Sequence, residues 1–580
     1  MSRLVQIARV CTIAWLLTSS LARAAAPVSP AVTAYQRGLE ALSRNDLPAA
    51  REAFEKTARL APANANAQNS LGWVLAQQGD LDAAAAHFRS AIKLRPGFVK
   101  ARVNLAGILS HQGKLPEAEQ QLRAAIKTEP NNADVHRLLG RNLSQSNPQE
   151  ATSELRRAVA LAPTRADLQD DLGSIFAQQS RNSEAAAAFQ QAIRLQPDLA
   201  AAHFHLGALA FEQKELDQAA SELSKAIALQ PRDANAHLYL SKTLAARAKP
   251  ADALRELHTT AELKPDWAEA QIALGLACQR APDPDCAVSA FAAATRLDPK
   301  NPDAFNDLGL ALIQKGNAEQ SIPAFRAAAE LRPADAGFRE NLGIAFIQRA
   351  DFDAAIAELN AAIALSPTTP TAHYNLGLAY KLKDQLDKAV DEFLKAIELK
   401  PDLADAHYTL GVLYWQQGEF DKAVEQLHSA IQFEPNFAEA HYTLGTVLKQ
   451  QNKLPEAAAS LREALRLQPE FAGAHTTLAA VLRQMGDSAG AADETKAAAA
   501  VSAANTDLQT ATFATNSGKR FLGAGDLDAA IGQFRSAIQA SESYAPAHLQ
   551  LAQALQRKGL TAEAARELQR AADLQAQSPK

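Results

Sequence analysis

A regular period of about 34 residues runs through nearly the whole chain, and it restricts the fold more than any other property of the sequence. A small residue (Gly, Ala or Ser) marks each period. The spacing of the marks is constant except for one short interval, from Gly140 to Gly173, and one long interval, from Ala479 to Gly518. Periods of roughly 20–50 residues are typical of solenoids, in which each repeat is one supersecondary unit stacked on its neighbours. The sixteen marks are Gly38, Gly72, Ala106, Gly140, Gly173, Gly207, Ser241, Gly275, Gly309, Gly343, Gly377, Gly411, Gly445, Ala479, Gly518 and Ala552.

Three further columns recur in phase with the marks. Ala follows twelve residues later in most units, and Phe or Leu usually stands four residues after that, as at Ala84 and Phe88. Because Pro has no backbone N–H and clashes with the preceding helical turn, a column of Pro separates helices. Pro ends each of the first thirteen units, at Pro62, Pro96, Pro130, Pro163, Pro197, Pro231, Pro265, Pro299, Pro333, Pro367, Pro401, Pro435 and Pro469.

Each period has the pattern of two short amphipathic helices joined by a turn. Apolar residues recur at i, i+3 and i+4, the spacing of one helix face. Because the residues at the mark and at the later Ala have small side chains or none, the two helix backbones can pack closely. Turn sequences lie between them, such as Gln-Gly-Asp at 78–80 and Ala-Gly-Asp at 524–526. Since one helix pair alone buries too little apolar surface, we predict an all-α solenoid of about sixteen helix-turn-helix units.

The columns of Leu-Gly, Ala, Phe or Leu, and Pro resemble the tetratricopeptide repeat, as in Asn375-Leu376-Gly377 and Thr409-Leu410-Gly411. The resemblance covers nearly the whole chain from Ala31 onward. It implies a right-handed superhelix in which the first helix of each pair lines a concave groove. It also implies partners that are proteins or peptides, without specifying which.

The N-terminal segment, residues 1–24, differs from the rest of the chain. Arg3 and Arg9 precede an apolar run from Val10 to Leu21, and Ala22-Arg23-Ala24 then supplies small residues at −3 and −1 of a cleavage site. This layout predicts a cleaved secretory signal peptide over residues 1–24, and the run is short for a membrane span. We therefore expect a bacterial, exported protein that is periplasmic or secreted. The alternative is an uncleaved amphipathic cap.

The remaining chain divides into three predicted segments. Residues 25–30 form a short linker, residues 31–509 the array of units 1–14, and residues 510–580 units 15 and 16 with a capping helix. The long interval between marks lies where residues 495–516 lack Pro and are rich in Ala, Ser, Thr and Asn. Either the second helix of unit 14 is lengthened there, which we favour, or the last two units are loosely hinged.

Composition and motifs argue against several classes of protein. The net charge is −5, and acidic and basic residues are interspersed, so the chain has no broad attraction for nucleic acid or anionic membranes. No segment beyond the predicted signal peptide is apolar enough to cross a membrane. The catalytic motifs His-Glu-x-x-His and Gly-x-Ser-x-Gly and the Walker loop do not occur. We expect no enzymatic activity and no cofactor.

Histidine and cysteine are the candidate metal ligands and cross-links in this sequence. Equivalent residues of neighbouring repeats lie roughly 8–10 Å or more apart, whereas zinc ligands each lie about 2 Å from one ion. We therefore predict that the histidines of one column pack between helices and bind no metal. Cys278 and Cys286 flank a turn within one repeat, and we predict either a disulfide or two small buried residues. The histidine column, four residues before the mark, comprises His136, His203, His237, His373, His407, His441, His475 and His548.

Positions 2, 5, 9 and 12 of each repeat follow i, i+3, i+7 and i+10 and therefore share one helix face. In tetratricopeptide proteins this face lines the groove. In units 11–13 it is rich in aromatic and basic residues, and Tyr and Trp in particular are enriched at binding hot spots. The alternative is that the rings fill space between helices. The binding candidates are Tyr374, Lys381, Tyr408, Trp415, Tyr442 and Lys449.

Position 6 carries Asn in four repeats, at Asn104, Asn341, Asn375 and Asn516. This sparse series is similar to the asparagine ladder in the arm of the O-linked N-acetylglucosamine transferase, but no residues remain for a transferase domain. The Lys and Asn pair with which the family holds a C-terminal carboxylate is absent from every unit.

We predict a non-catalytic scaffold of the cell envelope that binds partner proteins or peptides. The alternatives are an accessory component of a polysaccharide or pilus export system and a recruiting arm associated with a glycosyltransferase. Partner identity, pathway and oligomeric state are not specified by the sequence.

Overall fold

The computed structural model describes residues 29–577 and divides the chain into two compact units, up to Pro282 and from Asp283 onward. Thirty-one α-helices and no β-strand occur among residues 29–577. The prediction of an all-α repeat solenoid is confirmed. The predicted signal peptide at residues 1–24 lies outside the described residues.

The first unit contains fifteen helices, of which the odd-numbered are the first helices of repeats and the even-numbered the second. They are α1 Pro30–Ser43, α2 Leu47–Leu60, α3 Ala65–Gln77, α4 Leu81–Leu94, α5 Val99–His111, α6 Leu115–Thr128, α7 Ala133–Asn142, α8 Pro148–Leu161, α9 Ala166–Gln178, α10 Asn182–Leu195, α11 Ala200–Glu212, α12 Leu216–Leu229, α13 Ala234–Ala246, α14 Pro250–Leu263 and α15 Ala268–Arg280.

The second unit contains sixteen helices. They are α16 Pro284–Leu297, α17 Pro302–Gln314, α18 Ala318–Leu331, α19 Ala336–Gln348, α20 Phe352–Leu365, α21 Pro370–Leu382, α22 Leu386–Leu399, α23 Ala404–Gln416, α24 Phe420–Phe433, α25 Ala438–Gln450, α26 Leu454–Leu467, α27 Ala472–Gln484, α28 Ser488–Gly523, α29 Leu527–Ala540, α30 Ala545–Arg557 and α31 Thr561–Gln577.

Within each unit, helices pack only against near neighbours in the chain. Each helix contacts the one before and the one after it, and first helices of successive repeats also meet, as α9 meets α11 and α23 meets α25. A repeat array gains its stability from such neighbour contacts, because one continuous core forms along the stack. The helices of a unit therefore present successive first helices side by side.

The small marks allow the two helices of a repeat to approach closely. A Cβ added to Gly377 would lie 2.7 Å from the Phe393 ring, and one added to Gly343 would lie 2.7 Å from Leu359 Cγ. Phe393 and Leu359 occupy the Phe or Leu column and are completely buried. The ring or leucine of the second helix therefore occupies the volume that a larger side chain at the mark would need.

The turn between the two helices of a repeat uses a left-handed residue. Gly79, Gly418 and Gly525 have φ between 79° and 86°, which glycine adopts without the Cβ penalty. Other repeats place a residue with a side chain there, such as Lys214 with φ of 62°. The turns predicted at 78–80 and 524–526 lie at these positions.

The long interval between marks forms a single helix, α28, of 36 residues. It joins the second helix of unit 14 to the first helix of unit 15 without a turn, so it is longer than the lengthened second helix that we favoured. Helix-forming residues without Pro continue the helix through 495–516, and the predicted boundary at 509/510 falls within it. Residues 502–510 are exposed on every side, which is typical of a helix that bridges two packed parts.

We predict opposite effects for two Gly→Ala substitutions within helices of the second unit. Gly377→Ala should destabilise the protein by about 1–3 kcal/mol, because the new methyl group overlaps Phe393. Gly532→Ala in α29 meets nothing within 4 Å and should stabilise it by up to about 1 kcal/mol. Urea unfolding followed by circular dichroism measures both, and equal effects would contradict the close-approach interpretation.

Candidate protein-binding surface

The three predicted tyrosines lie on α21, α23 and α25, on first helices of successive repeats. All three are half-buried and pack against the core of the second unit. The Tyr408 ring lies 4.8 Å from the Phe437 ring and the Tyr442 ring 4.6 Å from Phe471, while Tyr374 contacts Phe393 at 5.7 Å. Each ring therefore fills space between helices with one side and leaves part of its surface accessible.

Polar contacts join the predicted patch across the repeats. The Tyr374 hydroxyl lies 3.5 Å from Thr409 Oγ1 on α23, and Trp415 Nε1 donates a hydrogen bond of 2.9 Å to Gln450 Oε1 on α25. Since each bond links neighbouring first helices, the structure brings the side chains of α21, α23 and α25 together on one surface. Whether they bind a partner stays a prediction.

The two predicted lysines are half-buried and lack an acidic partner. Neither Lys381 nor Lys449 forms an ion pair with any residue in 29–577. Burial lowers the pKa of Lys381, because the charged ammonium group loses solvation. A half-buried cation without a protein partner is available to a ligand.

An apolar row continues this surface toward α17. Leu310, Ile344, Leu378 and Val412 occupy position 9 of four successive repeats, and all are at least partly exposed. We did not single out Leu310 and Ile344 from the sequence, although the spacing rule applied to units 9 and 10 identifies them. We call the exposed side of α17, α19, α21, α23 and α25 the first-helix face.

Four carboxylates stand on the N-terminal side of the apolar row, and we did not single them out from the sequence. None of them forms an ion pair among residues 29–577. Burial raises the pKa of Tyr374, and the charge of a neighbouring carboxylate, Asp405, adds to this effect, which places Asp405 close to the predicted patch. The four are Asp307, Glu340, Asp405 and Glu439.

A second aromatic group occurs in the first unit, and we did not predict it from the sequence. Phe204 and Phe211 on α11 meet Tyr239 on α13 edge-on, at 5.6 and 6.1 Å between ring centroids. The Lys242 ammonium group lies 5.6 Å from the Tyr239 ring centre. Phe204 and Phe211 occupy positions 5 and 12, so reading out unit 6 by the same rule would have found them.

The asparagine series bonds one repeat to the next. Asn104 donates to Asn69 Oδ1 at 3.1 Å, Asn341 to Asn306 Oδ1 at 2.8 Å, and Asn375 to Glu340 Oε1 at 3.0 Å. Each bond runs from position 6 of one repeat to position 5 of the preceding one. Asn516 is exposed on α28. Three of the four amides are therefore engaged in stacking the repeats.

The histidine column links the two helices of a repeat to the end of the preceding repeat. His373 Nδ1 lies 2.7 Å from Glu392 Oε2 on the second helix, and its Nε2 lies 3.1 Å from the Pro367 carbonyl oxygen. Equivalent contacts recur at six other histidines, with Gln426 in place of Glu beside His407 and the Glu542 carbonyl oxygen in place of that of Pro beside His548. His441 keeps only the carbonyl contact. The column is a packing and hydrogen-bonding feature.

Two substitutions of Glu392 test this role of the histidine column. Glu392→Ala should destabilise the protein by about 1–3 kcal/mol, because it leaves a ring nitrogen of the buried His373 unsatisfied. Glu392→Gln should cost clearly less, since the amide oxygen can take the place that Gln426 takes beside His407. Thermal unfolding compares the two variants, and equal losses would show that the contact contributes nothing specific.

Cys278 and Cys286, the candidates for a disulfide, belong to different compact units. Cys278 is buried in α15 of the first unit, and Cys286 lies in the first turn of α16 in the second. A disulfide between them stays a prediction.

Comparison with known proteins identifies the family. Tetratricopeptide repeat models match more than half of the chain, at residues 75–141, 35–97, 171–236, 238–302, 279–336, 408–470, 442–506 and 515–579, and a further TPR repeat model matches residues 345–384 and 380–418. The chain therefore belongs to the tetratricopeptide repeat family. This fold supports a general role in binding proteins or peptides. No curated protein matches the chain.

Several solved structures are similar to the chain. The Cut9–Hcn1 hetero-tetramer of the APC/C has 18% identity and a TM-score of 0.37, over 78% of this chain and 97% of that one. YrrB, described as a TPR protein with an unusual peptide-binding site, has 23% identity and a TM-score of 0.29, over 31% and 92%. PilF of Pseudomonas aeruginosa has 22% identity and a TM-score of 0.33, over 36% and 94%.

Among residues 29–577, no helix combines the length and apolar character that a membrane span requires.

Proposed function

We propose that the protein is a non-catalytic scaffold of the bacterial cell envelope that binds a partner protein or peptide on its first-helix face. The observation that carries the proposal is the row of accessible apolar and aromatic side chains on five successive first helices. Trp and Tyr offer a large contact area at a small entropic cost and are enriched among the residues that dominate binding energy. Side chains alone are available for recognition, because helix backbones are internally hydrogen-bonded.

Trp415 is the side chain that we expect to contribute most. Its indole is half-buried, and a hydrogen bond to Gln450 holds the ring across two first helices. An anchored aromatic ring loses little freedom on binding. Lys381 lies one repeat away at the same position 12, so a ligand lying across α21 and α23 would meet both side chains.

The envelope location is part of the proposal and rests on the N-terminal sequence. Two arginines, an apolar run and small residues before Ala25 have the order of a secretory signal peptide. An exported scaffold would meet its partners outside the cytoplasm. A component of polysaccharide or pilus export is a more specific form of the same proposal, which crosslinking in the native host would distinguish.

The proposal predicts which substitutions abolish partner capture. Partners are captured by crosslinking in the native host and identified by mass spectrometry, and binding of the purified partner is then measured. Trp415→Ala combined with Lys381→Ala should weaken binding at least about 30-fold, the effect of losing a hot spot of roughly 2 kcal/mol. Thermal unfolding verifies that the variant remains folded.

Two control variants accompany this measurement. Gln450→Ala removes the hydrogen bond of Trp415 but keeps the ring, so binding should fall only slightly. Lys395→Ala removes an exposed lysine from the second helix α22 and should leave binding unchanged. Binding by the double variant at the wild-type level would refute the proposed surface.

A further inference from the structure

The first-helix face carries four carboxylates that form no ion pair within the described part of the chain. Asp307, Glu340, Asp405 and Glu439 have no cationic partner among residues 29–577, and each lies on a different first helix. Ion pairs neutralise some acidic residues on the turns and second helices of the second unit, while others in the described part of the chain, such as Asp391 and Glu425, have none. Such pairs join Asp285 to Lys315, Glu319 to Arg349, Asp353 to Lys383, Glu358 to Arg339 and Glu398 to Lys395.

Asp307 is kept on this face although its surroundings disfavour its charge. Burial raises the pKa of its carboxyl group, and the nearby charge of Asp303 raises it further, while Asn306 partly offsets both. The nearby cation Arg332 is paired with Asp303, and no ion pair joins it to Asp307. A carboxylate held at such a cost, without a cationic partner among residues 29–577, is typical of a binding position.

Glu340 is held in a fixed orientation. Asn375 on the next first helix donates a hydrogen bond of 3.0 Å to its Oε1. Because that bond uses only part of the acceptor capacity of a carboxylate, Glu340 can still accept from a ligand. Its charge is not neutralised by the neutral amide.

The apolar row separates these carboxylates from the two lysines. Glu340 and Ile344 are four residues apart on α19, and Leu378 and Lys381 are three apart on α21, so each pair shares a face one turn apart. The carboxylates lie toward the N-terminal ends of the first helices, and the lysines toward the C-terminal ends. The face therefore has an acidic edge, an apolar centre and a basic edge formed by two residues.

We propose that the first-helix face of α17 to α25 selects an extended peptide segment with alternating basic and apolar side chains. This inference rests on the proposed function and specifies its ligand. Successive side chains of an extended segment point to opposite sides. A segment that runs along the boundary between the apolar row and the acidic edge can therefore direct its apolar side chains to the row and its Lys or Arg side chains to the carboxylates. The four acidic residues outnumber the two lysines, so the charge of the face favours a basic ligand over an acidic one.

Synthetic peptides test the inference with the purified chain. Fluorescence anisotropy compares three labelled twelve-residue peptides of alternating Leu and Lys, Leu and Glu, or Ser and Lys. The Leu–Lys peptide should bind at least about tenfold more tightly than either other peptide, since only it satisfies both the apolar row and the acidic edge. Its affinity should fall as salt rises, because the carboxylates are near the surface.

Two double variants test whether the carboxylates of the first-helix face are responsible for binding the Leu–Lys peptide. Asp405→Asn combined with Glu439→Gln should weaken Leu–Lys binding about tenfold and reduce its salt dependence, and both residues are exposed, so folding is not at risk. Asp391→Asn combined with Glu425→Gln removes two exposed acids from the second helices α22 and α24 and should change neither property.

The outcomes separate this inference from the proposed function. Equal binding of the Leu–Lys and Leu–Glu peptides, or an unchanged affinity of the Asp405→Asn, Glu439→Gln variant, would overturn the inference while leaving a peptide-binding face. Failure of all three peptides to bind would overturn the inference as well. The proposed function would fail only if the natural partner also bound the Trp415→Ala, Lys381→Ala variant at the wild-type level.

Discussion

The close approach of the two helices within each repeat is the constraint from which the rest of the structure follows. A Gly at the mark, such as Gly377, leaves space that a buried Phe or Leu of the second helix fills. This contact sets nearly the same distance between the two helices in successive repeats. Equivalent side chains of stacked repeats therefore lie next to one another. A residue type that recurs once in every period therefore becomes a row on a surface, and the first-helix face is one such row.

The side chains of each repeat fall into two sets, one that stabilises the stack and one that varies between repeats. The marks, the buried Phe and Leu residues, the asparagine bonds and the histidine contacts repeat because they hold the stack together. Positions 2, 5, 9 and 12 vary, and some of them oppose stability, as at Lys381, where burial lowers the pKa of an unpaired ammonium group. Proteins commonly tolerate such costs where binding requires them. We therefore infer that the variable positions recognise the partner.

The sequence was sufficient for the repeat fold because columns in phase over sixteen units leave few alternatives. It was insufficient where a feature depends on residues brought together only by packing. The accessible part of Tyr408 depends on Phe437, which directly precedes the next first helix. The histidine contacts depend on a Glu of the second helix that Gln426 replaces in one repeat. The fusion in α28 was only partly predicted, since the missing Pro indicates a longer helix without showing where it ends.

The central claim, that recognition occurs on the first-helix face, is tested most directly by photo-crosslinking in the native host. A photoreactive amino acid replaces Leu378 on α21 in one variant and Leu394, exposed on the second helix α22, in the other. We predict a covalent adduct with the partner from position 378 and none from position 394. An adduct from position 394 and none from position 378 would contradict the account.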